Sequence, residues 1–165
     1  MDFSTYLPSP LGLLYLTGRD NALTGLYLDT QPHPPGIQKD TLPVFRQAQT
    51  WLDAYFRGDR PCPSQLPLSP TGTPFQKLVW DLLLTIPYGE TMTYGQIAWE
   101  AALRMGKPRM SAQAVGQAVG RNPISIIIPC HRCVGTGGKL TGYAGGLENK
   151  IWLLDLERRH KEETK

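Results

Sequence analysis

The strongest constraint on the fold is a device that the chain uses twice. At Thr73-Pro74-Phe75-Gln76 and again at Thr93-Tyr94-Gly95-Gln96, a threonine stands three residues before a glutamine. At that spacing the threonine hydroxyl accepts a free amide of the first helical turn, and the glutamine reaches back to the threonine amide. The first copy adds proline at the first helical position, where a missing N–H costs nothing. "TPFQKLVWDLLL" and "TYGQIAWEAAL" are therefore read as helices with fixed starting points. A third is expected from Ser111 through "SAQAVGQAVG", whose side chains are almost all small. A helical glycine costs about 1 kcal/mol, so this composition does not serve stability. It lets the helix approach another backbone closely. Two short helices joined by a turn near basic residues suggest a helix-turn-helix.

Ahead of these helices, "GLLYLTG" and "ALTGLYL" are apolar runs separated by the turn-prone "RDN", and they predict an antiparallel meander. A helix is expected over Leu42 to Arg57, with Val44, Ala48, Trp51, Leu52, Tyr55 and Phe56 on one face and Gly58 as its stop. "DRPCPSQLPLSPTGTP" is too proline-rich for a helix and reads as a short strand and a linker near Ser69 to Gly72. After the third helix, "RNP" is a breaker and "ISIII" a β-branched run suited to a buried strand. A glycine-rich loop follows, and then "LENKIWLLDLERR", an amphipathic helix with Leu147, Ile151, Leu154 and Arg158 as its expected stripe. The expected class is α+β. Residues 1–70 form a small N-terminal antiparallel β-meander with a helix, and residues 71–165 a mostly helical domain with the helix-turn-helix and the candidate active cysteine.

Charge narrows the partner. Residues 1–70 carry a net charge of −1 and residues 71–165 a net charge of +4, and no Asp or Glu occurs from Ala101 to Leu147. Arg104, Lys107, Arg109, Arg121, Arg132 and Lys139 all fall within that stretch. A basic, acid-free segment fits a polyanion, although a solvated face would look the same. No apolar run approaches the roughly 20 residues that span a bilayer, so no membrane partner is expected. The N-terminus lacks the basic region of a signal peptide, and three cysteines do not make a disulfide framework. A cytoplasmic location is the corresponding expectation.

The chemistry concentrates at "SIIIPCHRCVG", Ser125 to Gly135. Cys130 follows a proline and precedes His131 and Arg132, both able to favour a thiolate. With Glu157 from the last helix to orient the imidazole, Cys130 and His131 form a candidate activation relay. A direct contact between these neighbours needs a turn at Pro129–Cys130, because adjacent side chains of an extended strand point to opposite faces. The bland alternative is a core cysteine beside a surface histidine. Cys130 and Cys133 also spell C-x-x-C. A redox dithiol would want a helix after the first cysteine, a zinc site a second ligand pair, and a c-type haem a histidine where Val134 stands.

"NPISIIIPCHR" followed by "LTGYAGGLENKIWLLDLE" closely resembles the O6-alkylguanine-DNA alkyltransferases, the methylated-DNA–protein-cysteine methyltransferases. The likeness runs from "TPFQKLVW" through "IPYGETMTYGQIA" to Glu157, and is weak over the first seventy residues. It implies that Cys130 takes an alkyl group from O6 of guanine in duplex DNA, with O4 of thymine as a second candidate, once per chain. His131 would act as the base through water, Glu157 would hold the imidazole, and Asn122 would support the turn that joins the Ser111–Gly120 recognition helix to the active-site strand. Tyr94 would offer its hydroxyl to guanine N3, while Tyr143, Ala144 and Cys133 would bound the substrate pocket. The DNA-facing set would be Gln113, Ala112, Gly116, Arg121, Gly95 and Thr136, with the Ser111–Gly120 helix in the minor groove around a flipped nucleotide. Gln113 stands where the family usually inserts an arginine, and Cys133 where it usually has valine. The resemblance implies neither metal nor organic cofactor, and a monomer. Two rivals are a lesion sensor that binds alkylguanine without removing the group, and a cysteine hydrolase using Cys130, His131 and Glu157.

Overall fold

The structure is a computed structural model that describes residues 1–163. It divides into two compact units, Met1–Thr71 with Pro123–Ile127, and Gly72–Asn122 with Ile128–Lys165.

In the first unit β1 (Phe3–Ser9), β2 (Gly12–Arg19) and β3 (Ala22–Tyr27) form the antiparallel meander. A short β4 (Ile37–Gln38) adds to β1 in parallel, giving the order β3-β2-β1-β4. Helix α1 (Pro43–Arg57) buries Val44, Phe45, Ala48, Trp51, Leu52 and Tyr55, and ends at Gly58 in the left-handed region. Phe56, expected on that face, is half-buried. Gly18 of β2 lets the helix come close, since a Cβ there would lie 3.1 Å from the Phe45 ring and 3.2 Å from Val44. The strand expected in the proline-rich stretch reduces to a single bridge between Leu68 and Leu23, after a 3-10 turn at Pro63–Gln65.

The second unit holds α2 (Pro74–Leu83), β5 (Met92–Thr93), α3 (Tyr94–Met105), α4 (Ala112–Gly120), β6 (Cys133–Val134) and α5 (Leu147–Glu163). Both capping boxes form: Thr73 Oγ1 accepts from Gln76 N at 3.1 Å, and Thr93 Oγ1 from Gln96 N at 3.0 Å. Ser111 caps α4 by accepting from Ala114 N at 3.2 Å. Trp80 of α2 is 1% exposed and donates its Nε1 proton to the Ala118 carbonyl at 2.9 Å, which ties α2 to α4. Val79, Leu83, Ile97, Ala101 and Val115 complete the core beneath the helix pair. Burial of each large apolar side chain contributes about 1.5–3 kcal/mol.

Two expectations are corrected. "ISIII" is not a strand: only Ile124 bridges to Leu26, and residues 125–127 form a turn within the first unit. Ile127 N donates to Ser125 O at 2.8 Å across Ile126, whose φ is +71°. That is the φ of a γ-turn, costly for a β-branched residue and held here by burial. The stripe of α5 is also displaced. Leu147, Ile151 and Arg158 are exposed, and the buried residues are Lys150, Leu153, Leu156 and Glu157. Two of those four are charged, so a search for apolar spacing selects the wrong face.

Candidate active site

The chain turns sharply to present Cys130. Cys130 N donates to the Ile128 carbonyl at 2.8 Å across Pro129, whose φ of −82° and ψ of 66° make an inverse γ-turn. A proline suits that turn because its ring already fixes φ near −65°. The same carbonyl accepts from Asn122 Nδ2 at 2.8 Å, which staples the two ends of the 123–127 excursion. Residues Cys130–Arg132 then form one 3-10 turn, so the backbone is bent rather than extended at Cys130 and His131. Parallel pairing of β5 with β6, Met92 with Cys133 and Thr93 with Val134, brings the start of α3 beside this turn. It gave no signal in the sequence, being two residues long on each side.

Cys130 is 4% exposed and lines a cavity of about 350 Å³ with Tyr94, Gly116, Val119, Gly120, Gly142, Tyr143 and Ala144. That volume lies in the range of small-ligand sites, roughly 300–1,000 Å³. Burial pushes the Cys130 thiol up, opposed by hydrogen bonds with Asn122 and Tyr143 and by the charge of Lys150. A thiol so placed needs a base at the moment of reaction. Tyr94 accepts a hydrogen bond from Thr141 Oγ1 at 3.2 Å, and burial raises its hydroxyl too, so it remains a proton donor.

The two residues after the cysteine belong to a buried ionic cluster. His131 Nε2 is 2.6 Å from Glu157 Oε2, and neither residue has measurable exposure. Arg132 donates from Nε to Glu157 Oε1 at 2.8 Å and from Nη2 to Oε2 at 3.0 Å, and Gly89 N adds a bond to Oε1 at 3.1 Å. Burial alone would raise the Glu157 carboxyl, but His131 and Arg132 hold it well below the usual carboxylate range. Burial holds His131 below its ordinary value against the pull of Glu157, so the imidazole is neutral at neutral pH. With its Nε2 proton given to Glu157, the basic lone pair is on Nδ1.

The remaining residues fall into three groups. Gly116 is half-buried in the cavity wall beside Tyr94. Ala112 and Gln113 stand exposed in the first turn of α4, Arg121 exposed at its C-cap, and Gly95 exposed in the first turn of α3. Thr136 is exposed in a separate 3-10 turn, Thr136–Gly138, and is not among the cavity-lining residues. Cys133 is fully buried in β6 rather than on the cavity wall, and burial raises its thiol to about 12. All three cysteines are free. Arg132 corrects its first reading, since its guanidinium grips the carboxylate of Glu157. Lys150, missed altogether, is 1% exposed and donates from Nζ to the Cys133 carbonyl at 2.7 Å. Its only trace in the sequence is a lysine three and seven residues ahead of Leu153 and Glu157.

A cysteine at the wall of a cavity of small-ligand size, followed in the chain by a neutral histidine that a fixed carboxylate holds, suits transfer of a carbon group to sulphur. The comparisons carry this class further. The ribonuclease-like domain of 6-O-methylguanine DNA methyltransferase matches residues 3–70, and the DNA binding domain of the same family matches residues 74–159. A methylated-DNA–protein-cysteine methyltransferase of Haemophilus influenzae is 44% identical over 94% of this chain and 86% of its own length. One from Methanosarcina barkeri is 46% identical over 93% and 96%. The solved structure of Mycobacterium tuberculosis OGT in complex with DNA superposes with a TM-score of 0.84, at 42% identity, over 96% of this chain and 94% of that one. The O6-methylguanine-DNA methyltransferase of Pyrococcus kodakaraensis, 24% identical with a TM-score of 0.64, shares the fold. The chain belongs to the 6-O-methylguanine DNA methyltransferase family.

Proposed function

We infer that this protein is a methylated-DNA–protein-cysteine methyltransferase that repairs DNA by moving the alkyl group of O6-alkylguanine onto Cys130. The single observation that carries the reading is Cys130 on the cavity wall, followed in the chain by His131, whose imidazole Glu157 holds at 2.6 Å. The target oxygen is inaccessible in a stacked duplex, so the nucleotide is flipped into the cavity at a cost of a few kcal/mol, least at a damaged pair. His131 takes the Cys130 proton through a water, and Glu157 stabilises the imidazolium without accepting that proton. The thiolate sulphur attacks the alkyl carbon, the carbon–O6 bond breaks, and its electron pair stays on guanine. Tyr94 shares its proton with the departing base, while Tyr143 and Ala144 close over it.

The partner is duplex DNA, bound by one chain through the minor groove. The α4 face supports this: small residues such as Ala112 and Gly116 allow close approach, and Gln113 stands at the tip to fill the gap left by the flipped base. Arg121 meets phosphate. Among the described residues no helix is long and apolar enough to cross a membrane.

The product is a thioether, from which no group in the cavity can expel the carbon, so each chain acts once. Intact-mass measurement after mixing with duplex DNA containing O6-methylguanine tests the reading. One methyl per chain, mapped to Cys130 and absent from the Cys130→Ser variant, is the expected result. More than one turnover per chain, or a label on Cys133, refutes it.

A further inference from the structure

Arg132 is two residues from the proposed nucleophile in sequence, yet its guanidinium bonds Glu157 and the Ile86 carbonyl. Nε and Nη2 form a parallel fork on the two Glu157 oxygens at 2.8 and 3.0 Å. Nη1 donates to the Ile86 carbonyl at 2.8 Å, and the guanidinium carbon sits 5.7 Å from the centre of the Tyr88 ring. One short segment thus fixes both ions: the Ile86 carbonyl holds the cation, and the Gly89 amide holds the anion at 3.1 Å. The Gly89 backbone has φ +80°, a conformation glycine adopts without strain. Any rotation of the Glu157 carboxylate would break the fork, the Gly89 bond and the His131 bond together.

We propose that Arg132 is a positioning residue for alkyl transfer, gripping both Glu157 oxygens so that the carboxylate faces His131 and does not take its proton. This rests on His131 being the base for Cys130. Arg132 is not among the cavity-lining residues, and its guanidinium bonds Glu157, so its effect passes through Glu157 and His131. The charged groups that bear on His131 are Glu157 and Lys150 from α5, and Arg132 itself. Glu157 favours the imidazolium, while the two cations oppose it. Loss of the arginine charge therefore makes His131 more basic. A lysine keeps the charge but cannot form two parallel bonds.

The test is the single-turnover rate of methyl transfer from O6-methylguanine duplex DNA, measured by intact mass across pH, for wild type, Arg132→Lys and Arg132→Gln. Transfer needs neutral His131, so the wild-type rate rises through the folded histidine value. Arg132→Gln should move that rising limb to higher pH by roughly one unit, with unchanged DNA affinity. Arg132→Lys should leave the limb in place and lower the plateau between about ten- and a hundredfold, as expected for a misplaced relay. If the glutamine variant fails to fold, the lysine variant decides by itself. A lysine variant with a wild-type plateau, or a foldable glutamine variant with an unmoved limb, overturns the proposal. Wild-type protein that transfers no methyl at any pH would refute the transferase reading instead.

Discussion

Replacing Glu157 by alanine removes the anion at the centre of the buried cluster. Four hydrogen bonds are lost at once, from His131 Nε2, from Arg132 Nε and Nη2, and from Gly89 N. The Arg132 cation, 7% exposed, is then left in the interior without its counter-charge. Breaking one partner of a buried pair costs about 3–5 kcal/mol. For a chain of this length each kcal/mol lowers Tm by roughly 2–4 °C, so Glu157→Ala should melt about 6–20 °C below wild type. Glu157→Gln keeps an acceptor for Gly89 and for one arginine N–H, and should lose about half as much. The sign of the pH dependence follows from the depressed carboxyl of Glu157. Its contribution is fully present above the unfolded glutamate value, about 4.3, and is lost as pH falls towards the folded one. The gap in Tm between wild type and Glu157→Gln should therefore be constant near neutrality and narrow in acid. Thermal unfolding followed by circular dichroism reads both effects. A Glu157→Ala protein that melts within about 2 °C of wild type would refute the reasoning, as would a gap that stays constant in acid.

Arg121→Ala should weaken DNA binding about equally across sequences and reduce the salt slope by roughly one phosphate contact; titration at several salt concentrations checks this, and an unchanged slope removes the contact. Gln113→Ala should slow repair of duplex DNA far more than reaction with free O6-methylguanine base, which needs no flipping; equal losses would exclude a gap-filling role. Cys133→Val should leave the rate of transfer close to wild type and cost less than about 1.5 kcal/mol, since a buried thiol of similar size only packs there; a large loss of rate would give Cys133 a chemical role.

The placement of Asn122 shows how the site depends on bonds that residue spacing does not reveal. Its side chain bonds the Ile128 carbonyl, which also receives the Cys130 amide, so one acceptor fixes both the excursion and the γ-turn that presents Cys130. The resemblance implied that Asn122 supports the turn joining the recognition helix to the active-site strand, and residue periodicity gave no hint of its bond to Ile128. Lys150 acts in a comparable way, holding the Cys133 carbonyl and, at 3.4 Å, the Thr141 carbonyl, whose own side chain donates to Tyr94.

The sequence alone determined the features whose physics is local. Thr73 with Gln76, Thr93 with Gln96 and Ser111 satisfy amides within three residues of themselves, so the starts of α2, α3 and α4 are legible without the rest of the protein. Gly58 ends α1 for an equally local reason, its left-handed backbone. The "PCHR" block singled out the candidate nucleophile because its residue types carry the chemistry themselves. Tertiary structure decided what depends on partners far along the chain. The β-branched run Ile126–Ile128 prefers a strand, but the backbone bonds of Pro123 and Ser125 to Leu26 take it into a turn instead. Glu157 and Lys150 sit on the buried face of α5 because Arg132, His131 and the Cys133 carbonyl await them there. A charged side chain is buried only when its partner is in place, and no window of sequence contains both.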